Sequence, residues 1–115
     1  MVRRMSVQPT EVHLRQAERR LEITWDDGVV TQFSLRFLRG WCPCAKCQGH
    51  FVNEMKFIEG VSTDLSDVQP VGGYALRPTW ADGHQSGIYA FRYLRKIATE
   101  PPGEGPTNDD LLVDA

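Results

Sequence analysis

The chain has 115 residues, 41% of them apolar and 24% charged, with a formal net charge of -2, the profile of a single globular domain. No run of about 18 apolar residues occurs, and no apolar stretch follows the basic start Met1-Val2-Arg3-Arg4-Met5-Ser6, so neither a membrane-spanning helix nor a secretory signal is expected. Residues 1–99 carry a net of +3 and the last 16 residues five acids and no base; this basic excess is too small to point to nucleic acid.

Residues 1–9 are polar, end in Pro9 and are expected to form a flexible arm. The alternation of Val12 and Leu14, then of Leu21, Ile23 and Trp25, predicts two strands around a polar turn at 16–20. A short helix is predicted over 35–39, with Ser34 as its N-cap and Gly40 as its stop. Segment 48–72 reads as a long loop with one helical turn. A second helix is predicted from about 91 to 98, ending before Pro101. Residues 100–115, rich in Pro, Gly and acids, are expected to be a disordered acidic tail, which leaves 10–99 as the folded domain.

An internal echo organises the middle of the chain. Trp25-Asp26-Asp27-Gly28 leads to Phe33-Ser34-Leu35-Arg36-Phe37-Leu38-Arg39, and Trp80-Ala81-Asp82-Gly83 leads to Tyr89-Ala90-Phe91-Arg92-Tyr93-Leu94-Arg95. The spacing predicts two similar β-hairpin-plus-short-helix units in a small α+β domain. The second copy holds one extra residue between turn and helix, which predicts a bulge near Gly87. A three-residue loop with Gly28 in the left-handed position pairs Trp25 with Val29, Ile23 with Thr31 and Leu21 with Phe33, giving one apolar face. The same register in the second copy pairs Trp80 with His84 and Leu76 with Ile88, and turns His84 inward.

Cys42, Cys44 and Cys47 lie within six positions of one another. Three thiols cannot pair completely as disulfides, so the pattern predicts metal ligation in a reducing, cytoplasmic setting. Thiolates this close repel one another unless a cation neutralises them, and Zn²⁺ does so while lowering their pKa. For the fourth ligand, His84 is favoured over His50 because it would close a long chain loop and join the two units; His13 reads as a surface histidine on a strand. A filled four-ligand site stabilises structure and does not activate water. The sequence holds no glycine-rich phosphate loop, no serine elbow and no close carboxylate pair outside turns and tail, so the expectation is a non-catalytic module with no small-molecule substrate. Asp27 and Asp82 are accounted for by turn chemistry. Arg36 with Arg39, and Arg92 with Arg95, lie three apart on the two predicted helices; each pair offers a possible grip on an anion or a partner, against the plainer reading of a solvated helix face.

Taken together, Leu38-Arg39, Cys42-Pro43-Cys44-Ala45-x-Cys47, Val71-Gly72-x-Tyr74-Ala75 and Trp80-x-Asp82-Gly83-His84-x-x-Gly87-Ile88-Tyr89, followed by Leu94-Arg95, resemble the gamma-butyrobetaine hydroxylase-like N-terminal domain family over about residues 10–98. The resemblance implies a small zinc-binding α+β domain whose ligands match Cys42, Cys44, Cys47 and His84. In the hydroxylases this domain precedes an oxygenase domain holding iron and 2-oxoglutarate. No His-x-Asp motif of that site occurs here, so the expectation is a stand-alone domain engaging an unidentified protein partner. The alternative cofactor is a [2Fe–2S] cluster on the same three cysteines and one histidine, in an iron–sulfur binding or assembly protein. An enzyme with an open zinc site is a third reading, and requires that His84 not bind.

Overall fold

The computed structural model describes residues 7–48 and 55–113. In chain order, β1 (Pro9–Arg15), β2 (Arg20–Trp25) and β3 (Val30–Ser34) lead into α1 (Leu35–Gly40) and α2 (Ala45–Gln48). Then β4 (Leu65–Val71), β5 (Ala75–Trp80) and β6 (Tyr89–Ala90) lead into α3 (Phe91–Ile97), and α4 (Asn108–Val113) comes last. The strands form two antiparallel sheets of three, β1-β2-β3 and β4-β5-β6.

The alternation in β2 buries Leu21, Ile23 and Trp25 and leaves Glu22 and Thr24 half-buried. In β5 it buries Leu76, Pro78 and Trp80. These faces meet Phe33, Leu35, Phe37, Tyr89, Phe91 and Leu94 in one core. Each large apolar side chain removed from water there contributes roughly 1.5–3 kcal/mol before the entropy of ordering is counted.

The echo is deeper than the hairpins. Gly28 has φ +88 and Gly83 has φ +90, and the loop amides bond as expected, Trp25 N–H to Val29 O at 2.8 Å and Trp80 N–H to His84 O at 2.9 Å. Ile23 pairs with Thr31 and Leu21 with Phe33. The match extends back to β1 and β4: Pro9 faces Trp25 and Leu65 faces Trp80, each followed by a register shift. Each unit is therefore a three-stranded meander plus a helix, and the units trade contacts. Gln8 Nε2 donates to Gly73 O at 3.1 Å, while Gln16 Nε2 donates to Leu65 O at 2.9 Å.

Four expectations need correction. Leu76 pairs with Tyr89, not with Ile88, because residues 85–88 leave the ladder altogether. The cause is legible in Pro78, which stands where the first unit has Ile23. Its ring nitrogen lies on the same side of the strand as the Trp80 N–H, toward the departing segment, and has no hydrogen to donate. Segment 48–72 is not all loop, since it contains β4. The arm is shorter than nine residues: Gln8 O accepts from Asp26 N–H at 2.8 Å, and β1 starts at Pro9; residues 1–6 lie outside the described residues. Finally, the acidic tail folds back. Asn108 and Leu111 of α4 are buried, and the Asn108 amide pairs with the edge of β3 as another strand would, accepting from Ser34 N–H at 3.0 Å and donating to Gln32 O at 2.6 Å. Thr107 and Asp110 cap the helix reciprocally, Asp110 N–H to Thr107 Oγ1 and Thr107 N–H to Asp110 Oδ2, both at 3.1 Å.

Candidate metal centre

Two pieces of chain build the site. Ser34 caps α1 by accepting from Phe37 N–H at 3.4 Å, and the helix ends where the amides of Trp41 and Cys42 bond back to Phe37 O and Arg39 O. Cys42 thus emerges at the helix C-terminus. The amides of Cys47 and Gln48 both bond to Cys44 O, at 3.2 and 3.0 Å, which folds Cys44 and Cys47 onto the same side. Carbonyls that the helix end leaves unpaired are taken by the second unit: Tyr89 OH donates to Leu38 O and Tyr93 OH to Trp41 O. Gln48 Nε2 fixes Cys42 O at 3.1 Å. From the other side, the Asp82-Gly83 turn delivers His84, and the departing segment brings Gly87 against the cluster. A Cβ on Gly87 would sit 2.6 Å from Cys42 Sγ, so only glycine lets the backbone come this close.

The sulfurs of Cys42, Cys44 and Cys47 lie 3.5, 3.6 and 3.6 Å from His84 Nε2. A tetrahedral ion about 2.3 Å from sulfur and 2.0–2.1 Å from nitrogen separates each sulfur from the nitrogen by about 3.6 Å. The four donors therefore suit one mononuclear centre. Cys42 and Cys44 are buried, while Cys47 and His84 are half-buried. Without a cation the thiols resist ionising together. Burial, and then the neighbouring thiols, push Cys42 up to about 12, against the pull of the Cys44 amide. Cys47 is raised by burial and by Cys44. Cys44 alone is lowered: burial opposes its ionisation, but the Cys47 amide and side-chain hydrogen bonds from Cys42, Cys47 and Ser86 outweigh it. A bound divalent ion would favour the thiolate form of all three and offset the penalty on Cys42 and Cys47.

Among the described residues, Cys42, Cys44, Cys47 and His84 are the group whose ligand atoms converge. His13 is exposed on β1, with Nε2 3.3 Å from Glu11, and does not join them. His50 lies outside the described residues. The arginine pairs separate. Arg39 is buried, in a bidentate ion pair with Asp82 at 3.0 and 3.0 Å, and Arg95 pairs with Asp27 at 3.1 Å. Neither is a solvated grip for an outside anion. Arg36 pairs with Glu59, and Arg92 stands exposed on α3. Asp27 and Asp82, read from sequence as turn residues only, also anchor the opposite unit's arginine. The recurrence of Asp at the turn and Arg at the helix end in both copies was the signal for this. A surface groove of about 360 Å³ between the edges of β1 and β4 is lined by Pro9, Val12, Val68, Pro70 and Leu76, and by none of the four ligands.

The fold and site define a class: a small α+β domain of two echoed units meeting at a Cys₃His group able to hold a metal ion. Residues 12–95 match the family described as gamma-butyrobetaine hydroxylase-like, N-terminal, and the chain belongs to that family. It is similar to a crystal structure of a protein of unknown function from Acidithiobacillus ferrooxidans ATCC 23270, of the DUF971 family, with 32% identity over 81% of this chain and 94% of the other and a TM-score of 0.64. Two solution NMR structures are similar as well. One has 28% identity over 86% of this chain and 75% of the other, TM-score 0.65; the second has 29% identity over 93% and 79%, TM-score 0.64. No curated protein matches the chain. Among the described residues no helix is long and apolar enough to cross a membrane.

Proposed function

We propose that the protein is a non-catalytic zinc-binding module in which the ion is structural and which acts by engaging another protein. One observation carries the metal assignment: three sulfurs stand at the same distance, 3.5–3.6 Å, from one imidazole nitrogen. A [2Fe–2S] cluster spreads its four ligands over two irons, which would place some of these sulfurs farther from the nitrogen than others. Three thiolates and one imidazole also form a donor set of established preference for zinc. With all four positions taken by protein, the ion supplies cross-linking of two chain segments and leaves no position for a reacting water.

The partner reading rests on surface chemistry. Val61, Tyr74, Val30 and Ile88 are apolar and exposed and offer contact area to a partner chain, although single exposed apolar residues are also ordinary on a protein surface. The deciding experiment is anaerobic purification with metal analysis and a visible spectrum. One zinc per chain in a colourless protein supports this function. A brown protein with two irons per chain overturns it in favour of the cluster.

A further inference from the structure

The two Asp-Gly turns make the same connection in opposite directions. Asp82 Oδ1 accepts from His84 N–H at 3.3 Å, and its carboxylate is held by both terminal nitrogens of Arg39 at 3.0 Å. Asp27 Oδ1 accepts from Val29 N–H at 3.2 Å, and Oδ2 accepts from Arg95 at 3.1 Å. Each arginine also lies over the tryptophan that precedes the turn it grips, Arg39 at 5.5 Å from the Trp80 ring and Arg95 at 5.3 Å from the Trp25 ring. The residue after the turn glycine sets the two apart. In the first unit it is Val29; in the second it is the metal ligand His84.

The helix ends differ too. Arg39 stands three residues before Cys42, and the Cys42 amide bonds to Arg39 O at 3.3 Å; the position matching Cys42 in the second unit is Ala98. The Arg39–Asp82 bridge therefore joins the cysteine segment to the histidine segment a few residues from the ligands on each side. The pair is also the more enclosed of the two, with side-chain exposures of 7% and 21% against 27% and 38% for Arg95 and Asp27. Arg39 NH1 donates in addition to Ser62 O at 3.0 Å, and the Arg39 stem packs so close to Gly60 that a Cβ there would lie 2.3 Å from it. Its position is thus set by groups other than the ligands.

We propose that Asp82 and Arg39 are positioning residues for the metal centre: their bridge holds His84 at the cysteine loop before the ion arrives, whereas the matching bridge of Asp27 and Arg95 serves the fold alone. The inference rests on the metal-binding reading above. Preorganised ligands spare the ion the cost of ordering two chain segments. Outer partners of metal ligands typically change affinity 10- to 100-fold. The guanidinium adds a favourable charge, since three thiolates around a divalent ion leave the centre with a net of -1.

The first unit supplies the internal control. Zinc affinity is measured on the full-length protein by competition with a chromophoric chelator, well below the melting temperature, alongside thermal melts. Asp82→Asn should weaken zinc binding about 10- to 100-fold and speed zinc release to excess chelator. Asp27→Asn should lower the melting temperature with less than about threefold change in zinc affinity. Arg39→Lys, which keeps the charge and loses the bidentate fork, gives a second reading of the metal-side bridge if Asp82→Asn does not fold, and should weaken zinc binding by the same order. Equal zinc affinity in wild type, Asp82→Asn and Arg39→Lys would overturn the proposal. So would an equal loss in Asp82→Asn and Asp27→Asn, since the effect would then be general destabilisation. A wild-type protein that binds no zinc would instead bring down the function on which this inference rests.

Discussion

The two units share strand order, turn geometry and exchanged arginines, yet among the described residues only their contact at one end forms a candidate metal site. Val29 comes after the first Asp-Gly turn and Ala98 after the second helix; their counterparts are His84 and Cys42. The second hairpin also carries Pro78 in place of Ile23, and the segment after its turn leaves the ladder to place Gly87 beside Cys42. The comparison teaches that the repeat supplies the framework, and that three local departures from it supply the chemistry. The structural role proposed for the ion accords with this, because an ion held there would join two units that already share a core.

Experiments can break this comparison at several levels. Trp25 and Trp80 occupy matching places and are both fully buried. Replacing either with alanine should cost about 3–5 kcal/mol in chemical denaturation, and very different losses would mean that the units are not equivalent in the core. Next comes the metal end. Cys42→Ser should abolish zinc binding and remove the stabilisation that zinc confers, about 2.7 kcal/mol at a hundredfold excess of zinc over Kd. Ala98→Ser, at the matching position, should cost less than about 1 kcal/mol and leave zinc binding intact. Smaller still, Gly28→Ala and Gly83→Ala should each cost about 1–2 kcal/mol for the left-handed backbone. Gly87→Ala should act chiefly on zinc affinity, because its Cβ meets Cys42 Sγ.

Protons sharpen the same contrast. In the metal-free site the pKa values of Cys42 and Cys47 are raised, so both thiols are protonated at neutral pH and must lose those protons when the ion binds. Zinc affinity should therefore rise with pH, and the stability that zinc confers should be lost as pH falls. Titration calorimetry in buffers of different ionisation enthalpy should count at least the two protons of Cys42 and Cys47 released per zinc. Release of fewer than one would contradict the thiol assignment.

Much of this was legible in the residues. The spacing of Cys42, Cys44 and Cys47 marks the site unaided, and the turn register by itself pairs Trp80 with His84. The α+β class with two units came from the Trp-x-Asp-Gly repeat. The features that escaped had physical causes. Strand β4 is polar on its open side, with Ser66, Asp67 and Gln69 exposed, and its register shifts between Leu65 and Asp67, so its alternation is faint; only extending the echo back from Trp80 would have found it. Helix α4 lies in a stretch whose proline, glycine and acid content imitates disorder, and its fold depends on the distant edge of β3, which Asn108 covers. The Thr107–Asp110 cap was its local signal. The roles of Arg39 and Arg95 were hidden because each arginine's partner is 43 or 68 residues away, a pairing that periodicity along one helix cannot show.

The central claim is that a single ion sits between three cysteines and His84. X-ray absorption at the metal edge of the anaerobically purified protein tests it most directly. The account predicts zinc with three sulfur neighbours at about 2.3 Å and one nitrogen at about 2.0–2.1 Å, with the nitrogen signal lost in His84→Ala. Iron with a second metal in its near shell, or zinc whose shell is unchanged by His84→Ala, would contradict it.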